Sequence, residues 1–548
     1  MKTLKLSIVS FFFVIVTTVA QAADMRTVAV ISVADLDTVV KTLKSVTDQA
    51  GYPDAMNQEE MILSVFEGYD TKQPIGIVIQ ADDENFAYYA FLPIPDVSDT
   101  ALGMFLAAGE KQADGSVMLP PFQPMMPPIY VKQSGKWVYV SITQLPKTLP
   151  SNPVTLLDGM DKQYLIGMKA NIANLPKSSV IGALGMARVM AELYAQTEGQ
   201  YEAIGTFFEQ IQVLLDELKT VSFGISVTPQ NDIVIDSSAE AVAGSVTAAD
   251  IAAMASFKTG QIGFYQQQDS IFAMIGAGIL NEIIKKQYTT EMKIFFEGAR
   301  EEIEAGDLDA DGIAAVKSVL DNVEAMLYST IKSGKIDVGI TWKKNATLLI
   351  GATIADGNKL QKALNESLVT VPDEYQHYVM LNTEQFVGYN VSTIAVPTTV
   401  LPREGMSKAL ASRMMTLHIA IKDEAIALAF GLDEMVLTDL KKAITASKIT
   451  ANLPQTVAVI TPGNLVDFLT LIGPRDDNQD YKQVMDIVKS FPPDGQITIT
   501  DSYSGNTNKS KVVVSGKLLP GIGKFLGIGI NAAQRAQQIM QEQRGGYY

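Results

Sequence analysis

The chain of 548 residues contains no cysteine. This absence excludes disulfide bonds, thiolate nucleophiles, zinc held by cysteine and a lipid attached to an N-terminal cysteine. A protein without disulfides depends on its hydrophobic core, and a hydrophobic content of 47% over this length is enough to build one. The length itself predicts about three or four domains, or a long array of repeats.

Histidine is nearly absent, and His377 and His418 are the only two. A histidine-rich metal site is therefore excluded, and a Ser-His-Asp triad would have to use one of these residues. His418 alternates with apolar residues in a strand-like run, which predicts a solvent-facing position. His377 begins another strand-like run. Since the chain also lacks a phosphate-binding P-loop, we predict that the protein is not an enzyme and holds no cofactor.

Charged residues are few, at 19%, and they sum to a net charge of −17. Binding to the phosphate backbone of nucleic acids requires clustered lysine and arginine. The lysines and arginines of this chain are scattered and outnumbered by acidic residues. The composition therefore argues against a nucleic-acid partner.

Long hydrophobic runs are missing beyond the N-terminus. There, Lys2 and Lys5 precede an apolar run that ends in Ala20-Gln21-Ala22. A charged start, an apolar middle and a small-x-small end are typical of a signal peptide, so residues 1–22 are predicted to be removed after Ala22. We expect an exported, soluble protein of the periplasm or the extracellular space, without a membrane span.

The mature chain shows a degenerate internal pattern. A short strand leads into one or two helices, then into an antiparallel hairpin of alternating apolar residues, then into another helix. The predicted fold is α+β, with antiparallel sheets and helices packed on one face. The predicted segments are 23–160, 161–256, 257–373, 374–452 and 453–530, followed by a polar, flexible tail over 531–548.

One acidic stretch, Asp82-Asp83-Glu84, lies between two strand-like runs. The corresponding position in the third segment is Lys343-Lys344-Asn345. The same ligand could not bind to carboxylates in the first segment and to ammonium groups in the third, so the segments do not share a ligand site here. A hairpin tip requires only turn-compatible polar residues, so we interpret the stretch as a tip.

The first segment carries the most distinctive residues. They are Pro74-Ile75-Gly76, a hairpin over Tyr130–Trp137, and the junction Asn171-Ile172 to Leu175-Pro176. In these residues the chain resembles a family of exported proteins of unknown function from planctomycete-type bacteria. The similarity covers the signal peptide and roughly residues 25–260. The resemblance implies export and a multi-domain α+β architecture, and it transfers no site residue.

A possible metal site is the sequence GDLDADG over 306–312. Asp307, Asp309 and Asp311 have the spacing that opens a calcium-binding loop, and Gly312 supplies the turn. The twelfth position is Ser318 where such a loop requires a bidentate glutamate. The alternative is an acidic loop before a helix, where the helix dipole favours carboxylates. Calcium is the one metal that the sequence suggests.

Two apolar stretches, 178–193 and 270–284, are rich in small residues and methionine. Both are predicted to be helices. They could form a groove for an apolar or lipid-like ligand, because methionine adapts to irregular partners. Alternatively, they are helices that pack closely on a sheet.

Three functions follow in order of preference. The first is an exported, non-catalytic binding or scaffold protein of the cell envelope, with an envelope or extracellular protein as partner. The second is a carrier of an apolar ligand, and the third is a hydrolase that uses two carboxylates. Exposure of Tyr88, Tyr89, Tyr130 and Tyr139 on a flat sheet would favour a binding surface.

Overall fold

The computed structural model of the protein describes residues 25–53, 66–83, 86–121, 127–194, 198–265, 267–306, 310–368, 376–397, 414–432, 435–447, 456–472 and 479–526. They form helices and antiparallel strands, which confirms the α+β class. Within these ranges no helix is both long enough and apolar enough to cross a membrane. The predicted signal peptide and the predicted tail over 531–548 lie outside them.

The chain divides into two compact units, one within Met1–Ala195 and Phe208–Ala248, the other within Gln196–Phe207 and Ala249–Tyr548. The strands of the first unit are β1 Arg26–Val33, β2 Ile75–Ala81, β3 Phe86–Leu92, β4 Glu110–Lys111, β5 Val117–Leu119, β6 Ile129–Ser134, β7 Trp137–Ser141, β8 Ile166–Asn171, β9 Leu218–Val227 and β10 Ile233–Ala241. Those of the second are β11 Ser270–Ile279, β12 Lys335–Lys343, β13 Leu348–Thr353, β14 Val379–Phe386, β15 Tyr389–Pro397, β16 Met414–Lys422, β17 Ala425–Gly431, β18 Thr456–Ile460, β19 Ile497–Ser504 and β20 Thr507–Val514.

Helices separate groups of these strands. In chain order they are α1 Leu36–Gln49, α2 Ala101–Ala107, α3 Met160–Gln163, α4 Lys177–Glu192, α5 Glu198–Glu217, α6 Val246–Ser256, α7 Ile262–Tyr265, α8 Glu282–Ala305, α9 Ala310–Ser333, α10 Gly357–Leu368, α11 Val436–Ala446, α12 Leu465–Ile472 and α13 Gln479–Val488. A last helical stretch covers 519–526.

The sheets of the two units have the same strand order. In the first unit the order is β4-β5-β6-β7-β3-β2-β1-β8-β9-β10. In the second unit it is β14-β15-β16-β17-β13-β12-β11-β18-β19-β20. The second order is therefore the first with every strand number raised by ten. The proposed division into five repeated segments stays a prediction.

Aromatic residues form the core of the first unit. Phe91 and Trp137 lie on neighbouring strands β3 and β7, and their rings meet edge to face with centroids 5.5 Å apart. Phe91 also fills the space above Gly76, where a Cβ atom would lie only 2.1 Å from the ring. Leu157 and Met160 close the cluster from the side of α3. Such edge-to-face pairs add to the stabilisation from burial itself.

Helices cover the sheet of the second unit on both faces. On one face, Phe264 of α7 and the apolar side of α11 pack on Leu349, Ala420 and Ala427. On the other face, Met326 of α9 and Leu360 of α10 pack near Ile421. Alternate residues of a strand point to opposite faces. Side chains on both faces of β16 are therefore buried, with His418 and Ala420 on one face and Ile421 on the other.

One predicted helix is a strand. Residues 270–284 were expected to be helical, but Ser270–Ile279 form β11, and α8 begins only at Glu282. Strand β11 is hydrogen-bonded to β12 on one side and to β18 on the other. A central strand that is apolar at nearly every position has no alternation, and a short apolar run of this kind cannot be told from a buried helix by its pattern.

The opening of the fourth segment also differs from its prediction. The run from His377 was expected to be a strand that leads into a helix. It is a hairpin of β14 and β15, with a turn at Val387 and Gly388, both at positive φ. The β-branched and turn-forming residues that weaken a helix here are the residues that favour strands and a tight turn.

The acidic stretch at 82–84 lies between the paired strands β2 and β3, as a hairpin tip requires. Asp83 accepts a hydrogen bond from Arg26 at 2.7 Å, and its side chain is almost fully exposed. The pairing of β2 with β3 agrees with the interpretation of this stretch as the polar end of a hairpin, and Glu84 lies outside the described residues.

Candidate functional site

The calcium-loop candidates fall mostly outside the part of the chain that the structure describes. Asp307 and Asp309 lie beyond it, while Asp311 lies in the first turn of α9. Among the described residues there is no group of three or more histidine, cysteine, aspartate or glutamate side chains that could hold a metal ion. The calcium site therefore stays a prediction.

The prediction for His418 is wrong, because this side chain is buried. It lies on the face of β16 that α11 covers, opposite Thr393 of β15, and its Nδ1 is 2.9 Å from the Thr393 hydroxyl. Burial lowers the pKa of His418, and the charge of Lys441 lowers it further. Lys441 itself is bound to Glu384 at 2.6 Å. His377 is exposed and stacks on Tyr378 with ring centroids 3.8 Å apart.

The depressed pKa of His418 predicts that the second unit loses stability in mild acid. The unfolded chain binds a proton at a pKa of about 6.5, whereas the folded chain binds it only at a lower pH. Stability is therefore complete above about pH 6.5 and falls as the pH decreases towards the folded pKa, by up to about 1.4 kcal/mol per pH unit. Urea unfolding of the parent and of His418→Gln, from pH 7.5 to 5.5, measures this difference.

The exposed histidine provides the control for this experiment. His377→Gln, at an exposed position, is measured beside it as the control for replacing a histidine, and His418→Gln should flatten the pH dependence of the parent. Equal slopes for the parent and for His418→Gln would show that His418 does not titrate differently in the two states.

Two buried carboxylates of the second unit have structural partners. Asp337 accepts hydrogen bonds from the Thr259 hydroxyl and the Gly260 amide, both at 2.7 Å, which attach the segment before α7 to β12. Burial raises the pKa of Asp337, and these bonds partly oppose that change. Asp439 forms an ion pair with Lys343 at 2.5 Å. Each carboxylate is thus engaged by donors rather than placed opposite a second carboxylate.

The four tyrosines considered as a binding surface do not form one. Tyr89 and Tyr139 are buried in the first unit, with ring centroids 5.9 Å apart. Burial raises the pKa of Tyr89 to about 12, and the Tyr139 hydroxyl donates to the Pro150 carbonyl at 2.5 Å. Tyr88 and Tyr130 are half-buried. Tyr89 and Tyr139 belong to the core of the first unit, and Tyr130 packs against that core.

Helix α4 has a large exposed apolar surface in the first unit. Its sequence, KSSVIGALGMARVMAE, contains mainly good helix formers and is apolar around most of its circumference. Val180 and Leu184 face inward and are buried. Residues at spacings of three and four lie on the opposite side and form one stripe. We call this stripe the α4 outer face: Gly182, Gly185, Met186, Val189, Met190 and Leu193.

The α4 outer face is open to solvent. Its large side chains are exposed, with Met186 at 74% and Leu193 at 71%. A Cβ atom added at Gly182 or Gly185 would meet nothing within 4 Å. Ile181 and Tyr194 extend the apolar surface at either end, with exposed fractions of 46% and 78%. A helix that is apolar all round is ordinarily buried, whereas this side of α4 is exposed.

The α4 outer face is also electrically neutral. Between residues 178 and 194 the charged residues are Arg188 and Glu192. They form an ion pair one helical turn apart at 2.7 Å. At the start of α4, Lys177 pairs with Asp216 of α5 at 2.8 Å. The stripe therefore has no charge with which to attract a charged ligand.

A cleft lies on the inner side of α4. It is lined by Leu175, Val180, Ile181, Leu215 and neighbouring residues of α4 and α5, and its volume is about 10 Å³. This is the space of about one water molecule, whereas small-molecule sites measure about 300–1,000 Å³. The cleft is too small for a lipid-like ligand.

The sequence identified 178–193 as a candidate apolar element, and the structure confirms that it is a helix. The predicted groove differs from what the structure shows, because the exposed apolar residues form an outward-facing stripe. The regular spacing of 182, 185, 186, 189, 190 and 193 was the available signal. No family model, no curated protein and no solved structure matches the chain. The family resemblance of the first segment therefore stays a prediction.

Proposed function

We propose that the protein is an exported, non-catalytic binding or scaffold protein of the cell envelope and that the α4 outer face is its binding surface. The observation that carries the proposal is the exposure of this stripe on a helix whose other side, with Val180 and Leu184, is buried. Export rests on the signal-peptide pattern of residues 1–22.

The size of the surface supports a role in binding. A fully exposed large side chain offers roughly 150 Å². With the exposed fractions of Ile181, Met186, Val189, Met190, Leu193 and Tyr194, the apolar surface is about 600 Å². The largest apolar patch on a typical monomer is about 300–600 Å² and is often functional. The α4 outer face together with Ile181 and Tyr194 is at the upper end of that range.

The geometry favours binding over the other two functions. A carrier requires an enclosed cavity, and the cleft beneath α4 is far smaller than a ligand site. A hydrolase of the glycosidase type requires two carboxyl groups that flank one bond. The buried Asp337 and Asp439 are instead held by hydrogen-bond donors and by Lys343.

The proposal predicts position-specific contacts in the native compartment. A photoreactive amino acid at Val189, in the middle of the stripe, should crosslink to a protein in the envelope of the source cell. The same amino acid at Lys41, an exposed position on α1 of the same unit, is the control. The mass of the crosslinked product identifies the partner, and N-terminal sequencing of the exported protein should begin at Ala23.

Three outcomes would contradict the proposal. They are crosslinks from both positions, crosslinks from neither position, and a product that contains only lipid. The last of these would favour the carrier instead.

A further inference from the structure

We propose that the partner of the α4 outer face is a second copy of this chain. The two α4 helices pack antiparallel across a two-fold axis that passes between Ala187 and Arg188. This inference rests on the proposed function, because it names the partner of the same surface. It follows from the spacing of the exposed residues, their sizes and their charge.

The spacing of the stripe is symmetric about the proposed axis. In an antiparallel pair related by a two-fold axis, residue i of one copy meets residue j of the other, and j meets i. An axis between 187 and 188 pairs Gly182 with Leu193, Gly185 with Met190, and Met186 with Val189. The same axis pairs Ile181 with Tyr194. Every exposed apolar residue of the helix thus meets another member of the exposed set.

The sizes of the paired residues are complementary. Both glycines lie in the N-terminal half of the stripe, and both face large side chains, Leu193 and Met190, in the other copy. The space beside each glycine is empty, since a Cβ there would meet nothing within 4 Å. A large side chain from the partner can occupy that space and bring the helix axes close together. A parallel pairing would place each residue against its own copy, so the large side chains would face one another instead of the space beside a glycine.

The neutral charge of the α4 outer face is compatible with a second copy. The protein carries a net charge of −17, so two copies repel each other wherever acidic surfaces meet. The α4 outer face avoids this repulsion, because Arg188 and Glu192 neutralise each other. A helix that lies on a membrane carries several lysines and arginines on its polar side. Helix α4 has only Lys177 and Arg188, and Lys177 is already paired with Asp216.

The area of the surface matches a dimer interface. An interface of standard size buries about 800 Å² on each partner, and in homodimers about 65% of it is apolar. The apolar surface around α4 is about 600 Å², which is enough for the apolar part of such an interface.

Sedimentation velocity of the purified mature chain over a range of concentrations tests the dimer. We expect a reversible monomer–dimer equilibrium, with a dissociation constant raised at least tenfold by Met186→Glu. Met104→Glu is the matched control, because Met104 of α2 has an exposed fraction of 73%, nearly that of Met186. The control should leave the dissociation constant unchanged. Thermal melting shows whether both variants fold, as their exposure predicts.

Disulfide trapping tests the antiparallel register. Because the chain has no native cysteine, only the introduced cysteines can form a disulfide. Residues 182 and 193 of one helix lie about 16 Å apart, too far for a bond within one chain. Gly182→Cys/Leu193→Cys should therefore oxidise to a covalent dimer, while either single substitution should not. A covalent dimer from each single substitution would indicate parallel helices and overturn the proposed register.

Different results would contradict the binding function of the α4 outer face and the second copy as its partner. A purified chain that stays monomeric at all concentrations, or a dimer that Met186→Glu does not weaken, would overturn the second copy as partner. If Val189 still crosslinked to a different protein in the envelope, the binding function would stand.

Discussion

Replacement of Phe264 by alanine should lower the free energy of unfolding of the second unit by about 3–5 kcal/mol. Phe264 is 1% exposed and belongs to the core between α7, α11 and the sheet. Its ring occupies the space over Gly351, where a Cβ atom would lie only 2.3 Å away. Gly339 leaves a similar space beside the Phe264 Cβ atom. Since neither glycine has a side chain that could fill the cavity, the site cannot collapse around the alanine.

The two tryptophans allow the second unit to be followed alone. Trp137 lies in the first unit and Trp342 in the second, where it packs edge to face on Phe468 with ring centroids 4.5 Å apart. In a Trp137→Phe background, fluorescence during urea unfolding reports the second unit. Phe295→Ala, at an exposed position of α8, is the control and should change stability by less than about 0.5 kcal/mol. A loss below about 1 kcal/mol for Phe264→Ala would contradict its place in the core.

Removal of Lys343 should be nearly as damaging. Lys343 of β12 and Asp439 of α11 form an ion pair at 2.5 Å, with side-chain exposures of 15% and 9%. Lys343→Met leaves the Asp439 carboxylate buried without its main partner, and we expect a loss of about 3 kcal/mol. This loss of stability is at the lower end of the range for breaking a buried ion pair. Lys442 lies 3.9 Å from the other oxygen of Asp439 and still offsets part of its charge.

The double substitution distinguishes a buried charge from lost packing. Lys343→Met/Asp439→Leu removes both charges and should recover most of the stability, to within about 1 kcal/mol of the parent. Lys359→Met, which breaks an exposed pair with Asp356, is the control and should cost less than about 1 kcal/mol. If the double variant were as unstable as the single one, the loss would reflect packing of the lysine stem rather than an unpaired carboxylate.

Local pattern predicted much of the fold. The alternating runs on either side of the tip at 82–84 gave a correct hairpin, because a half-buried antiparallel strand exposes every second residue. The helix at 178–193 was predicted from an apolar run rich in small residues and methionine, and alanine, leucine and methionine in that run favour a helix despite its two glycines.

The failures share one cause. A sequence pattern shows which residues lie on the same side of an element, but it does not show what covers that side. Strand β11 was mistaken for a helix because both of its edges are paired and nearly all of its residues are apolar. The alternation of His418 with Leu417 and Ile419 predicts that its side chain faces solvent. In the structure, α11 covers that face of β16, and α9 and α10 cover the opposite face.

The sequence by itself determined the class of this protein: α+β, free of cysteine and poor in histidine. Those properties follow from composition and from contacts between residues close in the chain. The tertiary structure alone decided that Val180 and Leu184 face inward while Met186 and Leu193 face solvent. Helix α4 is apolar on both sides, so its own sequence cannot select the buried one. That selection depends on residues distant in the chain, such as Leu215 of α5, which pack against only one side of it.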